Sequence, residues 1–366
     1  MFRNACVDSV SVLQQCTQEP ALLELATREL VESRMVERPE YKLSLGPFQF
    51  DEIPGDALLM VQGLEQHLDE INELLLTDFS FLPRWRIEDV MATAGSQGAN
   101  CGAHFDHYDV FLVQAKGTKE WRLDVEYHID EDLDDNASIR LLQHFNPETT
   151  EILRSGDVLY IPPGIGHWGL SLDESITLSV GIRNPTMPEL VSNLADLIVE
   201  ESASMETLDD LIPSPEGGLS GEDIQSLQKK LSRVILDPKL ITQWYGSYVT
   251  ELREPEVIEL DSPLSTESLK QLLSANHSIK CKRPTRITYH DGETFTVFVN
   301  GDVFECDASV KSWLEPLCIQ RTILCEDVAD NEGNIELLQA LINYGAIELH
   351  SLELHSLDLY KQDADD

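Results

Sequence analysis

Three side chains in this sequence could share one metal ion. His104 and Asp106 stand two residues apart in Ala103-His104-Phe105-Asp106-His107-Tyr108-Asp109-Val110-Phe111. His167 follows about sixty residues later, after Gly156-Asp157-Val158-Leu159-Tyr160-Ile161-Pro162-Pro163-Gly164. Two imidazoles and one carboxylate make the facial set that holds Fe(II) in non-haem oxygenases and leaves positions open for a co-substrate and O₂. A carboxylate among the ligands and no cysteine favour iron over zinc. A bare His-x-Asp carries little information. Its weight comes from its flanks, a β-rich apolar run after the first motif and a rigid Pro-Pro-Gly turn before the second histidine. The bland alternative is that both histidines are core or surface residues and that Asp106 caps a turn.

Residues i and i+2 share one face of a strand, so His104 and Asp106 are expected to grip a metal from one side. His107 and Asp109 repeat the pattern three residues on with the opposite parity, so the two sets cannot ligate together. The first pair is preferred because Tyr108 to Gln114 reads as the body of a strand. His128 and His144 lie in loop-like sequence and read as surface residues. A dicarboxylate co-substrate needs a cation deep in the fold. Lys119 shares a strand face with Trp121, and an inward lysine is costly unless an anion pairs with it. A solvent-facing Lys119 is the ordinary alternative, and Arg122, of opposite parity, is the rival cation. Thr177 and Ser179 could each donate a hydroxyl to the same carboxylate.

The elements that must hold these groups are short strands. Beyond the run to Gln114, strands are expected at Thr118 to Asp124, Ile139 to Leu142, Glu151 to Leu153, Val158 to Ile161, Trp168 to Leu172 and Ser175 to Ile182. Such spacing, with turn signals between, suggests a closed or sandwiched β fold. With a metal triad on its inner face it predicts a double-stranded β-helix, the cupin or jelly-roll barrel. Residues 8–36 and 58–76 read as mostly helical, and Trp85 to Ala94 as extended. The Gly- and Ser-rich stretch from Gly95 to Gly102 reads as a loop, either a mobile lip over the site or a plain turn. Amphipathic helices are expected from Met187 to Met205 and from Asp223 to Val249, the latter broken at Asp237-Pro238. They either cover the barrel or self-associate. Linkers are expected at Pro213 to Gly221 and Glu251 to Ser265. The C-terminal part alternates helices and hairpin strands like a winged helix, with 8 Lys/Arg against 18 Asp/Glu from Ser265 onward.

The chain has 366 residues and a formal net charge of -40. Binding to nucleic acid through such a surface is disfavoured, whereas a basic protein is steered toward it. The acidity could also serve solubility alone. No run of eighteen apolar residues exists, so no membrane span is expected. Seven scattered cysteines without a Cys-x-x-Cys pair argue for reduced thiols and a cytoplasmic setting.

His104-Phe105-Asp106-x-Tyr108-Asp109-Val110-Phe111, Gly117-x-x-x-Trp121-Arg122, the Gly156 to Gly164 stretch, Ser179-Val180-Gly181-x-Arg183 and Phe81-Leu82-Pro83-x-Trp85-Arg86 together resemble the bacterial JmjC ribosomal oxygenases. The resemblance covers most of the chain. It implies an α+β chain with three parts: a JmjC barrel with N-terminal helices over residues 1–185, a helical dimerisation region over 186–260, and a winged-helix-like domain over 261–366. It implies Fe(II), 2-oxoglutarate and O₂, with metal ligands at His104, Asp106 and His167 and the distal carboxylate of 2-oxoglutarate on Lys119. The implied substrate is an arginine side chain of large-subunit ribosomal protein sixteen, and the implied assembly is a homodimer. Some members carry Arg where this chain has Lys119, while related eukaryotic ribosomal oxygenases that act on histidine carry Lys, so histidine stays open as a target. Phe2-Arg3-Asn4-Ala5 looks like the tail of the family's first edge strand, as expected either of a start codon set too late or of a member lacking that strand. Rival readings are a JmjC oxygenase acting on histidine, asparagine, methyl-lysine or a modified tRNA base, and a non-catalytic metal-binding cupin scaffold. Iron-dependent release of succinate separates the two classes.

Overall fold

The computed structural model describes residues 5–6, 19–49, 53–135, 137–182, 185–201, 218, 220–252, 263–273 and 277–351. It divides into two compact units, Met1–Asn184 and Pro185–Asp366.

The first unit runs β1 (Ala5–Cys6), α1 (Glu19–Ala26), β2 (Ser33–Glu37), β3 (Lys42–Leu45), β4 (Leu58–Val61), α2 (Leu64–His67), α3 (Asp69–Thr77), β5 (Ile87–Gly95), β6 (Val110–Lys116), β7 (Thr118–Tyr127), β8 (Thr149–Arg154), β9 (Asp157–Ile161), β10 (Ile165–Ser171) and β11 (Ser175–Ile182). Eight strands form one sheet in the order β1-β9-β6-β11-β5-β4-β2-β3, and three form a second in the order β10-β7-β8. One core joins the two sheets: Val110, Leu112, Leu159 and Ile161 from the large sheet pack with Trp121, Leu123 and Leu153 from the small one. On the other face of the large sheet, Val113, Ala115, Val158, Leu178 and Val180 pack against Leu22, Leu64, Ile71 and Leu74 of the helices. Leu112 and Val113 thus enter different cores, as the period-two alternation of a strand requires. This is the expected cupin-type, double-stranded β-helix.

The helical expectation fails at two places. Residues Ser33 to Val36 lie in β2, and Leu58–Val61 form β4, which pairs with both β2 and β5. Short apolar runs such as Leu58-Leu59-Met60-Val61 fit a buried strand as well as a helix. Pairing decides for the strand, and helix resumes only at Leu64. Ile139 to Leu142 forms no strand, only an isolated bridge from Leu142 to Leu133. The stretch from Gly95 to Gly102 is no free lip. Gly98 N donates to Ser171 O at 2.7 Å, Ser171 N donates to Ala99 O at 3.1 Å, and Asn100, 3% exposed, accepts from Tyr41 Oη and Trp168 Nε1 at 3.0 Å each. Helix expected from residue 8 to 18, Arg183, Met205 and both proposed linkers lie wholly or largely outside the described residues.

The second unit begins with α4 (Met187–Glu201), α5 (Gly221–Ile235) and α6 (Pro238–Thr250). It continues through α7 (Thr266–Leu273), β12 (His277–Cys281), β13 (Ile287–Asp291), β14 (Phe295–Val299), β15 (Asp302–Cys306), α8 (Lys311–Gln320), β16 (Thr322–Leu324), α9 (Glu332–Asn343) and β17 (Ile347–Ser351). The β12 and β16 strands went unread in the sequence; they flank each other in a sheet ordered β16-β12-β17. The break at Asp237-Pro238 is as expected: Asp237 caps α6 by accepting from Lys239 N, and Pro238 takes the first turn, where its missing N–H costs nothing. Trp244 of α6 donates to Asn193 of α4 at 2.7 Å. Gly246 is set by packing, since an added Cβ would stand 2.3 Å from the Phe298 ring. Among the described residues, no helix is long and apolar enough to cross a membrane.

Candidate metal centre

Local chain chemistry brings the three sequence-predicted ligands together. His104 and Asp106 do not lie on a strand, contrary to expectation: β6 starts only at Val110. Their shared direction comes instead from an isolated antiparallel bridge. His104 N donates to His167 O at 3.0 Å, and His167 N donates to His104 O at 2.7 Å. Residues that exchange both bonds project their side chains to one face, and the two rings stand 4.3 Å apart, centroid to centroid. Gly164, at φ 76°, turns the chain into β10 so that His167 reaches this register. Gly164 N donates to Asp106 O at 2.8 Å, which ties the third ligand to the same turn.

Ligand atoms of His104, Asp106 and His167 all lie within 4.8 Å of one another. Each imidazole is oriented by its own backbone: Nδ1 of His104 meets Gly102 O at 3.1 Å, and Nδ1 of His167 meets Ile165 O at 3.0 Å. An Nδ1–H held by a carbonyl fixes the tautomer that leaves Nε2 bare for a metal. Nε2 of His167 is 3.6 Å from Asp106 Oδ2. Burial and the neighbouring His104 ring hold His167 down at about 4. Burial also pulls His104 down, but Cys101, Asp106 and the Gly102 carbonyl outweigh it and hold that ring at about 10. A metal needs both rings neutral at Nε2, so its binding displaces the extra proton that His104 holds. Two neutral nitrogens and one carboxylate oxygen at this spacing fit a divalent first-row ion. Cys101, with Sγ 3.8 Å from His104 Nδ1, is a neighbour that sequence reasoning missed.

The rival pair is split between other partners. His107 Nε2 stands 3.0 Å from Asp130 and 2.8 Å from Arg140, and Asp109 accepts from the Tyr160 hydroxyl. That bond to Asp109, with burial, raises Tyr160 to about 12. His144 is exposed as expected, but His128 is buried at 7% exposure, which corrects the surface reading.

Lys119 points into the barrel and is 3% exposed. Its Nζ lies 5.0 Å from the Trp121 ring centroid and donates to Thr93 Oγ1 at 3.3 Å. Among the described residues, no carboxylate pairs with it. Burial therefore lowers the amine to about 8, with Cys101 pulling weakly the other way. Arg122 lies on the outer face, paired to Glu120 at 2.8 Å and stacked on Trp168 at 4.9 Å. Thr177 is buried and faces the same chamber, since Thr93, Thr177 and Gln114 are cross-strand neighbours on β5, β11 and β6. Its hydroxyl donates to Gln114 Oε1 at 2.9 Å, so Thr93 is the hydroxyl beside Lys119. Gly169 makes room for the chamber: a Cβ there would stand 2.7 Å from Trp121 Cη2 and 2.8 Å from Lys119 Cε. Thr93 and Gly169 had no sequence signal of their own.

A cupin-type barrel bearing a His-Asp-His cluster and an inward lysine, followed by a separate helix-and-wing unit, defines a JmjC oxygenase architecture. Residues 73–190 match the JmjC domain family, and residues 230–348 match the ROXA-like winged helix. The chain is 26% identical over 332 residues to the ribosomal protein uL16 3-hydroxylase of Escherichia coli, covering 88% of this chain and 87% of that protein. It is 25% identical over 330 residues to a probable ribosomal oxygenase of Haemophilus influenzae, covering 85% and 79%. A crystal structure of the Escherichia coli protein superposes with a TM-score of 0.82 at 25% identity, over 92% of this chain and 91% of that one. A structure of that ribosomal oxygenase in complex with cobalt and 2-oxoglutarate superposes with a TM-score of 0.79 at 26% identity, over the same shares. The chain thus carries a JmjC domain and a ROXA-like winged helix and is similar to ribosomal oxygenases over most of its length.

The geometry sets an expectation for metal binding. His104→Ala, Asp106→Ala and His167→Ala should each weaken Mn(II) binding by at least about tenfold, with the far-ultraviolet circular dichroism unchanged. Mn(II) titration followed by electron paramagnetic resonance measures it; a variant that binds like the parent removes that residue from the ligand set.

Proposed function

We propose that this protein is an Fe(II)- and 2-oxoglutarate-dependent hydroxylase that acts on an arginine side chain of the basic large-subunit ribosomal protein sixteen, uL16. The observation that carries the proposal is the pairing of two features in one barrel: a His-Asp-His cluster and a buried ammonium without a counter-ion among the described residues. Bound Fe(II), with 2-oxoglutarate and O₂, supplies insertion of one oxygen atom into a C–H bond, the other oxygen leaving in succinate as carbon dioxide is released. The protein's own residues do the positioning. His104, Asp106 and His167 would hold the metal through Nε2, a carboxylate oxygen and Nε2. Lys119 and the Thr93 hydroxyl receive the distal carboxylate of 2-oxoglutarate, with Thr177 and Gln114 closing the wall beside them. The Trp121 ring and the apolar lining from Val110, Leu112 and Leu159 exclude water, so the charges there interact through a low dielectric. The acidic surface favours a basic protein substrate by steering and disfavours direct nucleic-acid binding. Reduced thiols and a ribosomal substrate suit the cytoplasm.

A homodimer is part of the same proposal. Exposed apolar side chains recur at helical spacing on α4 (Met187, Val191, Val199) and α5 (Ile224, Leu231, Ile235), and Leu236 is 72% exposed. Burying such stripes against a second copy is the common way to cover them. Light scattering at micromolar concentration should give twice the chain mass, and Leu231→Asp should lower it; a monomeric parent contradicts the dimer.

The substrate is tested by mass spectrometry of ribosomal proteins from cells with and without the gene. One added oxygen on a uL16 arginine, lost with the gene and with Asp106→Ala, is expected. The same oxygen on a histidine would redirect the proposal to that residue, and no modified ribosomal protein would end it.

The co-substrate is tested through pH. Only charged Lys119 holds a carboxylate, and its free amine titrates at about 8. Affinity for 2-oxoglutarate should therefore be flat below pH 8 and fall by about tenfold per pH unit above it, with proton uptake on binding. Lys119→Ala should weaken binding by a hundredfold or more, the cost of leaving one buried charge unpaired being about 3–5 kcal/mol. Lys119→Arg should do less, since the charge stays. Calorimetry with Mn(II) in place of iron between pH 7 and 9 measures both; a pH-independent affinity, or a tight Ala variant, moves the carboxylate away from Lys119.

A further inference from the structure

His128 takes no part in the chemistry above, yet its ring is walled in by the segments that carry the ligands. On one side lies the ring of Phe105, the residue between His104 and Asp106, stacked at 27° with centroids 6.1 Å apart. On the other lies the backbone of Gly166, the residue before His167. A Cβ there would stand 2.9 Å from His128 Nε2 and 3.0 Å from Cδ2. His128 N donates to Gly164 O at 2.8 Å, and Gly164 N donates in turn to Asp106 O. Two carboxylates flank the ring nitrogens without a hydrogen bond to them. Asp124 Oδ2 is 3.4 Å from Nε2, and Asp132 Oδ2 is 3.7 Å from Nδ1. Asp124 is itself 2% exposed and accepts from Glu126 N and Asn146 N, while Asp132 accepts from Ile129 N. Backbone N–H groups thus anchor both acids.

Nε2 of His128 is buried and makes no hydrogen bond, although a carboxylate lies at ion-pair distance. Keeping a buried nitrogen off-line from its partner costs stability. A phenyl or aliphatic side chain would fill the slot without that cost. The ring's position is therefore dictated by what it presses on, Phe105 and Gly166, and close-packed interiors transmit such pressure.

We propose that His128 is a positioning residue for the metal centre. Fixed by its backbone bond to Gly164 and flanked by Asp124 and Asp132, its ring keeps Phe105 and the Gly166 backbone apart, and so sets the 3.6 Å spacing between Asp106 and His167. The proposal rests on the metal site described under the proposed function. Outer partners of this kind tune metal affinity by about 10- to 100-fold.

The test uses the full chain and Co(II), whose visible absorption reports ligand geometry. The parent is titrated first; a parent that binds no Co(II) sinks the metal centre and the brace with it. His128→Ala should weaken Co(II) binding by about 10- to 100-fold and change the spectrum of the saturated protein. His128→Phe, which refills the slot with a flat ring, should recover most of the affinity and the parental spectrum. A purely structural His128 would lower the melting temperature of the Ala variant and leave the saturated spectrum parental, and that result overturns the proposal. So does a Phe variant as impaired as the Ala variant. Should His128→Ala not fold, Gly166→Ala carries the test, because its Cβ pushes on the ring from the opposite side. An altered Co(II) spectrum supports the brace, and a parental spectrum with parental affinity overturns it.

Discussion

Two backbone hydrogen bonds between His104 and His167 govern the site. Everything that makes the cluster a metal site, its shared face, its ring spacing and its bare Nε2 atoms, follows from that bridge and from the carbonyls two residues before each histidine. The bridge needs the chain at residue 104 to run antiparallel to β10 without belonging to the sheet. Leu142 N helps by donating to Ala103 O at 2.9 Å, and the Gly164 turn by donating to Asp106. Placing ligands just outside a ladder frees their angles from the pleat while backbone bonds still fix them. Rigid support of this kind lets a site keep its geometry without a metal.

The co-substrate end obeys a different constraint. A buried ammonium with no carboxylate partner is unfavourable, and its lowered pKa measures that. The fold tolerates it through the Thr93 hydroxyl, the face of Trp121, and the gap left by Gly169. None of these neutralises the charge. The barrel therefore keeps in reserve an attraction that only an anion can satisfy, and on the proposed function specificity for a dicarboxylate comes from the second carboxylate finding this lysine at the far end.

The clustering of His104, Asp106 and His167 was legible because its signal is local: residue types at fixed short spacing beside turn chemistry. Lys119 was legible through strand parity, which also placed Arg122 outside. His104 and Asp106 were assigned correctly to one face for a reason the structure replaces, a bridge in place of a strand. Thr93, Gly169 and His128 were not legible, because each owes its place to a neighbour far off in sequence: Thr93 to β11, Gly169 to Lys119 and Trp121, and His128 to Phe105 and Gly166. The misread segments at Ser33 to Val36 and at Leu58–Val61 fail for a related reason. A short apolar run does not state its own period, and only pairing with β5 makes β4 a strand. Beyond residue 185 the helices carried clear 3.6-residue patterns and proper caps, so α5 and α6 were placed well, while three-residue β16 was too short to leave a pattern.

Charge ties the two ends of the barrel together. On the proposed chemistry, the metal brings two positive charges and Lys119 one, while 2-oxoglutarate brings two negative charges and Asp106 one. Loaded with both, the chamber is neutral. With the metal alone these groups carry an excess of two positive charges; with the co-substrate alone they carry two negative charges, which the proton on His104 halves, in surroundings where water screens little. Each partner therefore strengthens the binding of the other, even though Lys119 and Asp106 do not touch. Such coupling is reciprocal, so a change at Lys119 must alter the degree to which 2-oxoglutarate strengthens metal binding. The site works as one electrostatic unit held by two separate mechanical supports, the bridge at the metal and the strand pairing at the lysine.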